Sequence, residues 1–246
     1  MKVIAVIPAR YGASRFPGKL LEKLGNHSVI ASTYLAVKNS GLFHEVIVAT
    51  DDQRIVDEIS EYQGTVVITS SDHQSGSDRI AEVIKDREAD IVVNVQGDEP
   101  FTASEPLAMI LEVFKDDVHQ KVDVATLMEK MKDPKEIKNP NNVKVVFDAQ
   151  HYALYFSRSV IPFSRDTEKN INYFKHIGVY AYRKKALLNF TQLPTGRLEE
   201  IEKLEQLRYL ENGYRIKMIE TQHPSIGIDT PEDLENARLY LKKMEQ

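Results

Sequence analysis

The chain has 246 residues and a mass of 28.1 kDa, and its 42% hydrophobic and 28% charged content suits one large α/β domain or a domain with a subdomain. A formal net charge of −5 and a pI near 5.9 exclude a non-specific nucleic-acid binder, which needs a basic face, but leave room for a local cationic pocket. The absence of cysteine excludes disulfides, zinc–thiolate sites and thiol nucleophiles.

The apolar run at residues 3–7 is too short for a signal peptide or a membrane span, and no other stretch approaches that length. A cytoplasmic protein with no membrane partner is therefore expected. Residues 3–7 predict the first strand, followed by strands at 46–50, 66–69 and 91–95, with helices at 30–40, 53–62 and 78–87 between them. This alternation predicts an α/β fold with a doubly wound, mainly parallel sheet that binds ligands beyond the carboxyl ends of its strands. After Asp98 the pattern changes. Residues 122–127, 143–148, 153–157 and 177–182 are strand-like without regular helices between them, which predicts a mixed sheet with an inserted arm. Residues 131–142 and 162–173 read as exposed polar loops. Helical periodicity returns at 198–211, where Leu198, Ile201, Leu204 and Leu207 form an apolar stripe, and a strand at 216–220 leads to a helix near Pro231.

Three segments carry chemistry. The first is Pro8-Ala9-Arg10-Tyr11-Gly12-Ala13-Ser14-Arg15-Phe16-Pro17-Gly18-Lys19, directly after strand one. Its glycines let the backbone approach phosphates, and Arg10, Arg15 and Lys19 can neutralise their charge. It is not a Walker A loop, because Leu20 stands where Ser or Thr would hold magnesium, and the chain has no GxGxxG dinucleotide fingerprint. The alternative is a solvated basic turn. The second segment is Asn94-Val95-Gln96-Gly97-Asp98-Glu99-Pro100, where a carboxylate leaving a buried strand is placed either for a phosphate-bound metal or to cap the next turn. Asp98 is the better ligand candidate, since Glu99 beside it should point elsewhere. In the third, Gly227-Ile228-Asp229-Thr230-Pro231-Glu232-Asp233, Thr230 is the expected N-cap and Pro231 the first helical residue. Asp229 lies outside the cap and is either a second metal ligand or a spare turn acid. His73 and Ser75 lie in a polar loop able to contact a base or ribose, and His176 and Tyr180, an even number apart, should face one side of a strand.

The ordered series PARYGASRFPGK, ATDD, DHQSGSDR, VNVQGDEP, NPNNVKVV, YALYFSR, HIGVYAYR, LEQLRYLENG and GIDTPEDLE resembles the CMP-Kdo synthetases, the 3-deoxy-manno-octulosonate (Kdo) cytidylyltransferases of the sugar nucleotidyltransferase superfamily. The resemblance runs from Ile4 to about Arg238. It implies a Rossmann-like nucleotidyltransferase fold in which roughly residues 1–120 and 214–246 form a nucleotide-binding core and 121–213 a sugar-binding and dimerisation part. It implies that Arg10 and Lys19, with Ala9, His73 and Ser75, bind CTP, and that Asp98 and Asp229 hold Mg2+. Arg15, Gln96, Arg158, His176, Tyr180, Glu205 and Gln206 would line the sugar-acid pocket, with Arg158 paired to the sugar carboxylate. It further implies a homodimer and a role in the lipopolysaccharide inner core. Two departures stand out: Ser70 where many relatives carry arginine, and Gly25-Asn26-His27-Ser28-Val29 where a Gly-Lys-Pro run is usual.

The expected reaction is attack of the sugar's anomeric hydroxyl on the α-phosphorus of CTP, with Lys19, Arg10, Asp98 and Asp229 as the catalytic set and no residue assigned as general base. Two rivals stay open: a cytidylyltransferase for another acidic sugar, such as 8-amino-Kdo or sialic acid, and a non-catalytic nucleotide-sensing module on the same fold.

Overall fold

The computed structural model describes residues 1–12, 16–73, 75–165, 171–223 and 226–244. In chain order the elements are β1 (Val3–Ala9), a 3-10 turn (Lys19–Leu21), β2 (Lys23–Leu24), β3 (His27–Ser28), α1 (Val29–Asn39), β4 (Glu45–Thr50), α2 (Gln53–Ser60), β5 (Thr65–Ile68), α3 (Gly76–Ile84) and β6 (Ile91–Asn94). They continue with α4 (Ser104–Asp116), β7 (Val124–Met131), α5 (Pro134–Lys138), β8 (Lys144–Phe147), β9 (Ala153–Ser157), β10 (Tyr173–Arg183), α6 (Lys184–Phe190), α7 (Arg197–Glu202), α8 (Gln206–Glu211), β11 (Ile216–Glu220) and α9 (Pro231–Met244). Two compact units result, Met1–Leu107 with Ser225–Gln246 and Ala108–Pro224, and β11 lies in the second.

In the first unit the strands run β6-β1-β4-β5, all parallel. β1 is flanked on both sides, so Ile4, Ala5, Val6 and Ile7 are buried on both faces, and the sequence shows an apolar run instead of an alternation. The chain moves outward from β1 through β4 to β5, then returns past β1 to β6. Right-handed crossovers place α1 and α2 on one face and α3 on the other. The order reverses between β1 and β6, and the loops leaving their carboxyl ends part there, which is where open α/β sheets bind ligands.

The second unit is mixed. β11 pairs parallel to β7, and β7–β10, β10–β8 and β8–β9 are antiparallel. The mainly parallel first unit and mixed second unit agree with the fold class the sequence predicts. A stack of rings fills part of its core: Phe190 lies 4.2 Å from Tyr209, which lies 5.9 Å from Tyr182. Arg208 covers Phe190 at 4.4 Å and is fixed by paired bonds of 2.7 and 2.6 Å to Glu199. Lys144 is fully buried, and its ammonium donates to the carbonyls of Asn139, Asn142 and Arg158 at 3.1, 2.6 and 2.5 Å. Burial, with the positive charge of Arg158 adding to it, holds the Lys144 pKa below its ordinary value.

Several sequence expectations need correction. The helix expected at 198–211 is two helices, because Lys203 takes a left-handed conformation (φ 54°) at the end of α7. The expected stripe divides there: Leu204 and Leu207 are buried, whereas Ile201 is 67% exposed. The polar segment 131–142 holds α5, capped by Asp133, whose side chain accepts from the Lys135 amide; none of its residues is buried. β10 begins at Tyr173, at the end of the segment expected to be a loop, of which residues 166–170 lie outside the described set. Neither α4 nor α6 was foreseen. The unusual 25–29 segment forms the β2–β3 hairpin and the start of α1, with the Ser28 hydroxyl accepting from the Ala31 amide at 3.1 Å.

Phe190→Ala removes the ring that both Tyr209 and Arg208 cover. It should cost about 3–5 kcal/mol, read as an earlier midpoint in urea unfolding.

Candidate active site

The loops from β1 and β6 meet the segment before α9 at one ammonium group. Lys19 Nζ lies 2.5 Å from Asp98 Oδ2 and 2.9 Å from Asp229 Oδ1, with the lysine side chain 10% exposed. Each residue is placed by local backbone. Gly18 adopts φ 75° and its amide donates to the Tyr11 carbonyl at 2.9 Å, which closes the β1 loop and turns Lys19 inward. Gly97 passes so close to β1 that a Cβ there would stand 3.1 Å from the Pro8 carbonyl oxygen and 3.1 Å from Ile30 Cδ1. The Gly97 carbonyl accepts from Thr33 Oγ1 at 3.0 Å, and the Asp98 carbonyl accepts from the Ile228 amide at 3.0 Å. That last bond ties the two carboxylate-bearing segments together.

Thr230 is the N-cap that the sequence predicts. Its hydroxyl accepts from the Asp233 amide at 3.2 Å, while the Asp233 carboxylate accepts from the amides of Thr230 and Asp229 at 2.8 and 3.1 Å. Asp233 and Thr230 thus cap the helix start between them, and Asp229 bonds Lys19 through Oδ1. The Glu99 carboxylate lies beside Gly227, 3.2 Å from where a Cβ would sit. Burial acts to lower the Lys19 pKa, but the charges and hydrogen bonds of Asp98 and Asp229 outweigh it and hold the ammonium above its ordinary value.

Other predicted nucleotide residues gather nearby in the same unit. Arg10 donates through Nη2 to the His73 carbonyl, and the His73 ring bonds the Glu82 carboxylate. Glu82 also accepts from the Ser70 amide at 3.0 Å. Burial pushes the Glu82 pKa up, yet these hydrogen bonds prevail and hold it below the usual carboxylate value. Glu82 thus anchors the 70–73 loop, a role the sequence did not reveal because it reads as one more acid on a helix. Ser75 is the N-cap of α3 in a reciprocal box with Asp78, so a structural role accounts for its hydroxyl. Ala9 ends β1 and is buried, and Gln96 is half-buried with Nε2 3.4 Å from Asn94 Oδ1. Arg15 lies outside the described residues.

Of the predicted sugar residues, Gln96 lies in the first unit, and Arg158, His176, Tyr180, Glu205 and Gln206 lie in the second. His176 and Tyr180 stand with ring centroids 5.2 Å apart, on one side of β10 as their spacing predicts, and Phe156 packs 5.2 Å from His176. Burial, reinforced by the charge of Lys175, lowers the His176 pKa to about 3, so the ring is neutral. Burial, with Tyr182 and Glu205 adding to it, raises the Tyr180 hydroxyl well above its ordinary value and keeps it protonated. Arg158 is more constrained than its sequence context indicates. Its guanidinium donates to the carbonyls of Glu202, Pro140 and Lys203 at 2.8, 3.2 and 3.4 Å, while the Glu202 carboxylate accepts from the Arg158 amide and the Ser157 hydroxyl at 3.0 and 2.6 Å. Carbonyl acceptors orient a guanidinium without cancelling its charge. Glu205 is half-buried at the start of α8, and Gln206 is buried.

The family described as cytidylyltransferase matches residues 4–218. A 3-deoxy-manno-octulosonate cytidylyltransferase of Flavobacterium johnsoniae is 56% identical, the match covering 98% of this chain and 99% of that protein. The enzyme of the same name from Christiangramia forsetii is 52% identical over 98% of this chain and 97% of its own. The chain belongs to the 3-deoxy-manno-octulosonate cytidylyltransferase family. A solved CMP:2-keto-3-deoxy-manno-octonic acid synthetase complexed with CTP superposes with a TM-score of 0.94 at 40% identity, covering 99% of this chain and all of that one. The family resemblance read from the motifs is thereby borne out, and so is the fold it implied.

Lys19→Met should cost about 1–3 kcal/mol of stability, near the low end because the Asp229 side chain is 49% exposed and its attraction is screened. The lysine is charged in both folded and unfolded protein at neutral pH, and its folded pKa is the higher of the two. The stability gap between wild type and variant should therefore hold through neutral pH and close only as pH rises past the ordinary lysine value of 10.5. Thermal melting of both proteins across an alkaline pH series measures this.

Proposed function

We propose that the protein transfers CMP from CTP to the anomeric hydroxyl of Kdo, forming CMP-Kdo and pyrophosphate for lipopolysaccharide inner-core synthesis. The observation that carries this reading is the convergence of Lys19, Asp98 and Asp229 beyond the ends of β1 and β6. The sugar is named by analogy with relatives that share about half or more of the residues over nearly the whole chain.

The hydroxyl oxygen attacks the α-phosphorus, the bond from that phosphorus to the bridging oxygen of pyrophosphate breaks, and the hydroxyl proton passes to solvent. Little covalent help is required of the protein; positioning and charge are. Lys19 and Arg10 would bind the triphosphate and offset the charge that collects on departing pyrophosphate. Asp98 and Asp229 suit Mg2+, since two carboxylates already reach one cationic centre, and magnesium needs only one or two when substrate phosphates and water complete its shell. Magnesium held there would supply positive charge to the reacting phosphate. Gln96 and Arg15 would lie near the acceptor sugar. In the second unit, Arg158 would attract the sugar carboxylate with its carbonyl-oriented guanidinium, and His176, Tyr180, Glu205 and Gln206 would meet its hydroxyls. Ala9, His73 and Ser75 would frame the nucleotide.

CTP is made in the cytoplasm, and we assign the reaction there; among the described residues no helix is long and apolar enough to cross a membrane. Leu154, Phe163 and Ile201, exposed by 62%, 86% and 67%, support a homodimer covering apolar surface of the second unit. Light scattering should then give about twice the 28.1 kDa chain mass, and a monomeric mass at working concentration would remove the dimer.

The decisive assay follows pyrophosphate release from CTP with Kdo, 8-amino-Kdo or sialic acid. Turnover should require Kdo and Mg2+ and stop with EDTA. Lys19→Ala should lower kcat about a hundredfold, by analogy with loss of one donor to a developing anion. Turnover confined to another sugar would keep the chemistry and replace the substrate. CTP binding without turnover on any sugar would leave a nucleotide sensor.

A further inference from the structure

β10 does not run in simple register along β7. Ile177 faces Leu127 but Tyr180 faces Thr126, so Gly178 and Val179 have no counterpart on β7. Such bulges re-aim neighbouring side chains and are common beside functional sites. Thr126 sits under this one, fully buried in an otherwise apolar stretch. Its Oγ1 lies 2.7 Å from the Val179 carbonyl oxygen, 3.1 Å from the Ile177 carbonyl oxygen and 3.1 Å from His176 Nε2.

A hydroxyl has one proton to give, and both carbonyl oxygens can only accept. If that proton went to His176, two carbonyl oxygens would face the lone pairs of Thr126 with no hydrogen between them. The proton is therefore directed at the bulge, most closely at Val179, and Thr126 Oγ1 must accept from His176. That requires the hydrogen of the neutral ring to sit on Nε2. Nδ1 is then a bare lone pair, and it has no hydrogen-bond partner among the described residues. Burial keeps the ring uncharged, which rules out the imidazolium that would donate from both nitrogens.

We infer that Thr126 is a positioning residue that fixes His176 as the Nε2–H tautomer, so that Nδ1 accepts a hydrogen bond from a hydroxyl of the acceptor sugar. His176 would thus read a sugar hydroxyl and not the carboxylate, which falls to Arg158. This assignment rests on the proposed sugar transfer for its substrate, but the tautomer stands apart from any activity.

The test joins a spectroscopic and a kinetic reading. In 15N-labelled protein, long-range 1H–15N spectra of the seven histidines, with His176 assigned by the signal lost in His176→Gln, should show protonated Nε2 and bare Nδ1. Thr126→Val should lose that fixed pattern and raise KM for the sugar about tenfold, with KM for CTP within about twofold of wild type. Thr126→Ser keeps the hydroxyl and should retain both the tautomer and the sugar KM. A protonated Nδ1 in wild type overturns the inference, whatever the enzyme turns over. An unchanged tautomer in folded Thr126→Val, or equal rises in both KM values, also overturns it. If Thr126→Val does not fold, the wild-type and Thr126→Ser spectra decide alone. A correct tautomer in a protein inactive on every sugar would count against the proposed reaction and not against the positioning role.

Discussion

One ammonium group organises the first unit. Lys19 binds Asp98, 79 residues away, and Asp229, 210 residues away, and few contacts in the unit span more of the chain. Burial alone acts to lower the Lys19 pKa, and the charges and hydrogen bonds of the two carboxylates reverse that. The constraint reaches backward into the sequence: Gly18 must bend for Lys19 to turn in, Gly97 must lack a side chain for the Asp98 loop to lie on β1, and Asp233 and Thr230 cap the start of α9 beside Asp229.

The second unit adds another means. Arg208 and Arg183 pair with Glu199 and Asp117, but two other cations are satisfied by backbone carbonyls. Lys144 donates to three, and Arg158 to three more, so cationic charge is retained where a carboxylate partner would have neutralised it. A set of carbonyl-oriented cations with neutral His176 and Tyr180 is suited to an anionic, hydroxyl-rich molecule. The first unit, with its paired acids, is suited to a cation-bridged phosphate chain. Lys19 and Arg158 are thus held charged by distinct means, one by carboxylates and the other by carbonyls.

Much of this was legible in the residues. β1, β4 and β6 are continuous apolar runs because parallel strands are covered on both faces, and the loops beyond them were marked by glycine and charge. Asp229 could be singled out because Thr230 and Pro231 already explained the helix start. What failed depended on single backbone angles or on partners distant in sequence. A left-handed Lys203 divides a stretch whose spacing fits one helix, since periodicity carries no record of φ. β10, reading YFKHIGVYAYR, mixes charge, glycine and aromatic residues because a bulge interrupts its alternation, and only its second half looked strand-like. Glu82 and Thr126 left no signal: an acid on a helix and a threonine in a strand are ordinary until the fold sets them against His73 and His176.

The first unit is discontinuous: Met1–Leu107 is completed by Ser225–Gln246, with the whole second unit made in between. Synthesis proceeds from the N-terminus, so a growing chain carries Lys19 and Asp98 for more than a hundred residues before Asp229 exists. The bond from the Ile228 amide to the Asp98 carbonyl is likewise among the last to form. The ribosome therefore delivers the second unit before the first can close, and a chain halted before Ile228 has neither of the interactions that join the two acidic segments. The charged centre cannot be complete until Asp229 has been made, and Asp229 follows the whole second unit.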